Sequence, residues 1–152
     1  MARPQSIAFR ALDAHVVAGR ADELALVTPA GSLSYAQLLH ESACVAGGLR
    51  DLGLRAGAPV RLSVTDRHTW VVSVLAIARL GAEPDHDASF RIEGDPAVVH
   101  TGDEEYEFAL VLRAGRTDPA PAAVHDDGDY GERMERQFGD VLATLLHGGT
   151  LT

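Results

Sequence analysis

The stretch Pro59-Val60-Arg61-Leu62-Ser63-Val64-Thr65-Asp66-Arg67-His68-Thr69-Trp70-Val71-Val72-Ser73-Val74-Leu75-Ala76-Ile77-Ala78-Arg79-Leu80-Gly81 changes its period half-way. Val60 to Thr65 alternates as a strand does. Asp66 can then cap a helix in which Trp70, Val71, Val74, Leu75, Ile77 and Leu80 recur at helical spacing up to Gly81. On the N-terminal side, Ser34-Tyr35-Ala36-Gln37 has the spacing of a capping box, and Leu38, Leu39, Val45, Ala46, Leu49 and Leu52 carry a second helix to Gly53. Arg55 to Pro59 is turn material between the two. Strand and helix in alternation imply an α/β fold, a mainly parallel sheet flanked by helices.

Further out, Leu24 to Thr28 and Ser32 to Ser34 read as a hairpin about Pro29-Ala30-Gly31. Ile7, Ala8, Ala11, Leu12 and Val16 form a first helix with Ser6 as its N-cap and Gly19 at its end. Towards the C-terminus, Pro96 to His100 is expected as a short strand and Glu105 to Ala114 as a helix. Arg116 to Tyr130 is expected as a surface loop, followed by one last helix from about Glu132 to His147 that Gly148-Gly149 closes. The expected organisation is a single domain over 1–152, a length that can bury a core of its own.

Composition narrows the functions. With 46% apolar and 23% charged residues the chain has the make-up of an ordinary globular protein. Its net charge of −9 repels phosphate backbones and anionic lipid surfaces, so neither nucleic acid nor a membrane is an expected partner. All 13 basic residues are arginine, and lysine and asparagine are absent, a bias that fits a GC-rich bacterial genome. Without lysine there is no Schiff base, no phosphate-loop ammonium and no lysine to stabilise an acyl-phosphate transition state. Cys44 is the only cysteine, which excludes a disulfide framework within one chain. Met1 to Ser6 lacks the apolar core of a signal peptide, and the run from Trp70 to Ala78 is too short to span a bilayer. The expected location is the cytoplasm.

From Leu24 to Pro84 the chain resembles the opening of the adenylate-forming superfamily, which includes acyl-CoA synthetases, nonribosomal peptide adenylation domains and luciferase. Ala25-Leu26-Val27 and Leu33-Ser34-Tyr35-Ala36-Gln37-Leu38 are similar to the family's "Ala-Leu-Val" and "Leu-Thr-Tyr-Ala-Glu-Leu". Ala46 to Val60 follows its "Ala-x-x-Leu-x-x-x-Gly-Val-x-x-Gly-Asp-x-Val", and Leu75 to Ala82 its "Leu-Ala-x-x-x-Ala-Gly-Ala". A fainter echo, Leu145-Leu146-His147-Gly148-Gly149-Thr150-Leu151, resembles the "Leu-Leu-x-Gly-Gly-Thr-Leu" that follows the family's nucleotide loop. The loop itself, "Ser-Gly-Thr-Thr-Gly-x-Pro-Lys", should fall in the interval between these matches. That interval holds His100-Thr101-Gly102-Asp103-Glu104-Glu105, with carboxylates where a triphosphate would sit. The family's acyl pocket, adenine motifs and lid lysine have no counterpart here, so no family catalytic residue carries over. The resemblance thus implies the N-terminal subdomain fold of a truncated, degenerate AMP-binding domain, with adenylate formation lost.

Among residues that could carry chemistry, His100 with Asp103 or Glu104 stands at the end of a predicted strand, where α/β sites form, and could serve as a general base. A turn in which Thr101 or Asp103 caps the next helix accounts for the same residues and weighs more. Asp85-His86-Asp87 and His125-Asp126-Asp127-Gly128-Asp129 lack metal-site spacing and read as solvated loops, so neither a metal nor a cofactor is expected. Cys44 is expected to be buried and inert. The leading expectation is a non-catalytic binding or scaffolding protein, in a homodimer or with another biosynthetic protein. The alternatives are an ATP-independent enzyme binding a small molecule near His100, and a fragment that a separate chain completes.

Overall fold

The computed structural model describes residues 5–152. Its strands are β1 (Leu24–Thr28), β2 (Gly31–Ser34), β3 (Pro59–Ser63), β4 (Glu83–Pro84), β5 (Arg91–Glu93), β6 (Val98–His100) and β7 (Glu105–Glu107). Its α-helices are α1 (Tyr35–Asp51), α2 (Arg67–Leu80), α3 (Phe108–Gly115), α4 (Tyr130–Gln137) and α5 (Gly139–Leu146). The chain gathers into two units, one made of the segment up to His40 with Ala122–Thr152, the other of Glu41–Pro121.

In the first unit the opening helix forms where its apolar spacing places it, but with π-type turns at Phe9–Asp13 and Val16–Arg20. The Ser6 hydroxyl accepts from the Phe9 amide at 3.2 Å, and Gly19 leaves helical geometry at φ 88°. β1 and β2 pair antiparallel as the expected hairpin. The C-terminal Gly148 to Leu151 returns to this hairpin: Leu26 and Leu151 form a parallel bridge, Val27 N donates to Leu151 O at 2.8 Å, and the Thr150 hydroxyl donates to Leu24 O at 2.7 Å. Tyr35 is fully buried and its hydroxyl donates to Gly149 O at 2.6 Å, while the Arg20 guanidinium donates to Gly148 O at 2.7 Å. The two separated stretches of family-like sequence therefore meet through these hydrogen bonds. The single helix expected over 132–147 is two, α4 and α5, because Phe138 takes φ −121° and buries its ring before Gly139 restarts the helix.

α1 starts with the capping box: Ser34 N donates to Gln37 Oε1 at 2.8 Å and Gln37 N to Ser34 Oγ at 3.2 Å. In the second unit it packs against α3 at backbone distance. A Cβ on Gly48 would overlap the Val111 carbonyl, and one on Gly115 would overlap the carbonyl of Cys44. Cys44 lies in this contact with no exposed surface, and burial pushes its thiol up.

The sheet of this unit runs β4-β3-β5-β6-β7. It is mixed: β3 is parallel to β4 and β5, while β5-β6 and β6-β7 are antiparallel. α2 makes the parallel crossover from β3 to β4. Asp66 caps it, accepting from the Thr69 amide at 3.0 Å, and Gly81 ends it in the left-handed region at φ 74°. Val71 to Arg79 is buried without a break, and Val60, Ile92 and Val99 complete the core with no exposed surface. Two expectations need correcting. The helix placed over 105–114 gives its first three residues to β7, which pairs with β6 in register (Val99↔Tyr106), and β5 was not expected at all.

One ion pair between helices makes this unit pH-sensitive. His68 Nε2 lies 2.6 Å from Glu41 Oε1, with both side chains about three-quarters buried, and the Glu41 carboxylate raises the His68 pKa above the ordinary imidazole value. A folded-state value raised in this way stabilises fully below the unfolded value, and the gain is lost as pH rises through the folded one. The melting temperature of the protein is expected to fall between about pH 6 and pH 8. His68→Gln should flatten that slope; an unchanged slope in the variant would assign the effect elsewhere.

Candidate functional site

β6 ends at His100, and the register of its neighbours sets what that ring meets. His100 is paired with Arg91 on β5 and with Glu105 on β7, and Glu93 is the diagonal neighbour. Its Nε2 lies 3.5 Å from Glu93 Oε1 and its Nδ1 3.3 Å from Glu105 Oε1, with 16% of the side chain exposed. The carboxylates on His100 are therefore Glu93 and Glu105. Asp103 is exposed in the turn, and Glu104 accepts a hydrogen bond from the Tyr106 hydroxyl. The three residues singled out from sequence share one hairpin end, but Glu93 and Glu105 were missed. Finding them needs the β5-β6-β7 register, which no local pattern announces.

The turn itself is short and internally satisfied. Thr101 N donates to Glu104 O at 2.9 Å, Glu104 N donates to Thr101 Oγ1 at 3.1 Å, and Gly102 supplies the left-handed φ of 106°. The hydroxyl turn expected about Thr101 forms, though it leads into β7 and not into a helix.

This hairpin end also lies at the other edge from the one expected. Sites in α/β sheets open at the carboxyl ends of parallel strands. β6 runs antiparallel to β5, so His100 stands beside Arg91, at the amino end of β5. The carboxyl ends of the parallel strands, Ser63 of β3 and Glu93 of β5, instead lead towards Asp66 and the Gly94-Asp95-Pro96 turn. There a cleft of about 630 Å³ is lined by Asp66, Thr69, Asp95, Val98, Glu107 and Phe108, among others. Asp66 keeps its carboxyl below the usual range, chiefly by accepting from the Thr69 amide. Among the described residues no group of three or more His, Cys, Asp or Glu side chains could hold a metal ion, and no helix is long and apolar enough to cross a membrane.

Against known proteins, residues 13–84 match the family model described as AMP-binding enzyme. The chain is 33% identical over 153 residues to an acetyl-coenzyme A synthetase of Shewanella pealeana, a match that covers 86% of this chain and 22% of that protein. It is 38% identical over 82 residues to an acetyl-coenzyme A synthetase of Mycolicibacterium smegmatis, covering 50% of this chain and 9% of the relative. The chain therefore spans about a fifth or less of the length of these relatives. Among solved structures, a long-chain-fatty-acid-CoA ligase from Archaeoglobus fulgidus superposes with a TM-score of 0.63 at 16% identity, over 82% of this chain and 33% of that one. The N-terminal subdomain of NpsA from Klebsiella oxytoca, solved with 3-hydroxybenzoyl-AMSN, gives a TM-score of 0.62 at 15% identity, over 82% of this chain and 36% of that one. At these identities the superpositions establish the shared fold.

Proposed function

Since this chain is a relative of the N-terminal part of the adenylate-forming enzymes, we propose that it keeps their scaffold as a binding surface and does not form adenylates. One observation carries the proposal: in the interval where the sequence resemblance leads us to expect the family's phosphate loop, the chain makes a closed hairpin turn that contains Asp103 and Glu104 and is followed by Glu105. Carboxylates a few ångströms from a polyphosphate repel it by roughly 1 kcal/mol per charge pair in water and several times that in a partly buried site. No lysine anywhere in the chain offsets that repulsion. The partner is a second copy of the chain or another biosynthetic protein, in a cytoplasmic setting that suits the buried Cys44, which forms no disulfide. The exposed Leu110 side chain beside Leu52, Tyr106 and Ala114 supports such an association by offering apolar surface.

Pyrophosphate exchange with ATP, run over acetate, longer fatty acids and aryl acids, tests the loss of chemistry. Exchange is expected at the level of a no-protein control, with no retention of magnesium-ATP in equilibrium dialysis. Exchange above control with any acid overturns the proposal. A second reading, an ATP-independent enzyme, draws on the Glu93-His100-Glu105 arrangement, which could hold and relay a proton. Turnover of a small metabolite that His100→Ala abolishes would favour it.

A further inference from the structure

We infer that the cleft at the carboxyl ends of β3 and β5 is a binding site for a small organic cation, an amine carried on an apolar body. The sheet order places it. From β3 the chain leaves through α2 towards β4, whereas from β5 it leaves the other way towards β6, so the two connections diverge and open a crevice between them. Such a divergence is where open α/β sheets take their ligands. The space there, about 630 Å³, lies within the range of small-molecule sites.

The lining decides the ligand's chemistry. Pro96, Ala97, Val98, Phe108 and Ala109 give an apolar floor, in which Phe108, only 9% exposed, is held by packing. The polar part of the rim is Thr69 with three carboxylates, Asp66, Asp95 and Glu107. Opposing them are the N-termini of α2 and α3, which begin at the cleft after Asp66 and Glu107. Each terminus contributes roughly half a positive charge, so three carboxylates leave a net of about minus two. An anion is excluded and a cation is drawn in. Asp66 already accepts from the Thr69 amide and hydroxyl, whereas Glu107 makes no side-chain capping bond to α3 and Asp95 is exposed. Asp95 and Glu107 are therefore the groups that would meet the ammonium. The inference does not depend on whether the chain forms adenylates, because the cleft lies at the opposite end of β6 from the Thr101 to Glu104 turn.

The experiment is NMR titration of the whole chain with phenethylamine and, in parallel, with 3-phenylpropionate and 3-phenylpropionamide, its anionic and neutral counterparts. Saturable shifts of the Thr69, Ala97, Val98 and Phe108 amides are expected with the amine alone, at millimolar concentration or below. The paired substitution Asp95→Asn with Glu107→Gln should weaken that binding about tenfold or more. Both positions are exposed and neither side chain caps a helix, so the fold should hold, and an unchanged amide spectrum outside the cleft checks it. Three results overturn the inference: no saturable shift with the amine, equal binding of the carboxylate, or amine binding that the paired variant leaves intact.

Discussion

Gly115→Ala is expected to abolish the native fold of the Glu41–Pro121 unit, or to leave it less stable by about 3 kcal/mol or more. The reason lies in backbone and not in side chains. α3 crosses α1 with Gly115 against the Cys44 carbonyl, and Gly48 N lies within 2.9 Å of where the new Cβ would be. A flexible side chain could turn away from an added methyl group. A helix backbone held by its own hydrogen bonds cannot, so one helix must lift off the other and the packing about Val111 opens with it. Gly139→Ala is the matched control, because nothing lies within 4 Å of its added methyl group at the first position of α5. Chemical denaturation of the two variants should separate them clearly. Equal stability would mean that the helices do not approach as closely as described.

The second large effect is expected at Tyr35, in the other unit. Tyr35→Ala removes a fully buried ring, stacked edge-on against His15 with centroids 4.9 Å apart, and should cost about 3–5 kcal/mol. Tyr35→Phe keeps the ring but leaves the Gly149 carbonyl without its phenol donor, which should cost about 1 kcal/mol. Urea denaturation measures both. Similar losses for the two variants would place the stabilisation in the hydrogen bond and would contradict the packing described for the ring.

What the sequence disclosed and what it hid divide along one physical line. The capping box at Ser34 and Gln37, the Asp66 cap, the Gly81 stop and the β1-β2 hairpin were legible because each is decided within a few residues. β5 and β7 are three residues each, too short for alternation to register, and they exist because distant strands pair with them. The site suffered from the same blindness. His100 and its turn were visible as a local cluster, but Glu93 became its neighbour only through sheet register, and the antiparallel course of β6 put the cluster at the unexpected edge. The cleft was further out of reach: Asp66, Asp95 and Glu107 are separated by some thirty and a dozen positions, and no local motif links them.

The ends of the five-stranded sheet bear on how any partner could be recognised. One outer strand, β4, is two residues long and holds Pro84, which has no N–H to offer. The other, β7, carries Glu105 and Glu107 exposed on either side of Tyr106. An incoming extended peptide would find a missing donor at one margin and a pair of acids at the other, so main-chain zippering onto this sheet is discouraged on both flanks. Recognition is thereby left to side chains on the helical faces and in the cleft. Selectivity then depends on the identity of a partner's residues and not on its mere readiness to form a ribbon.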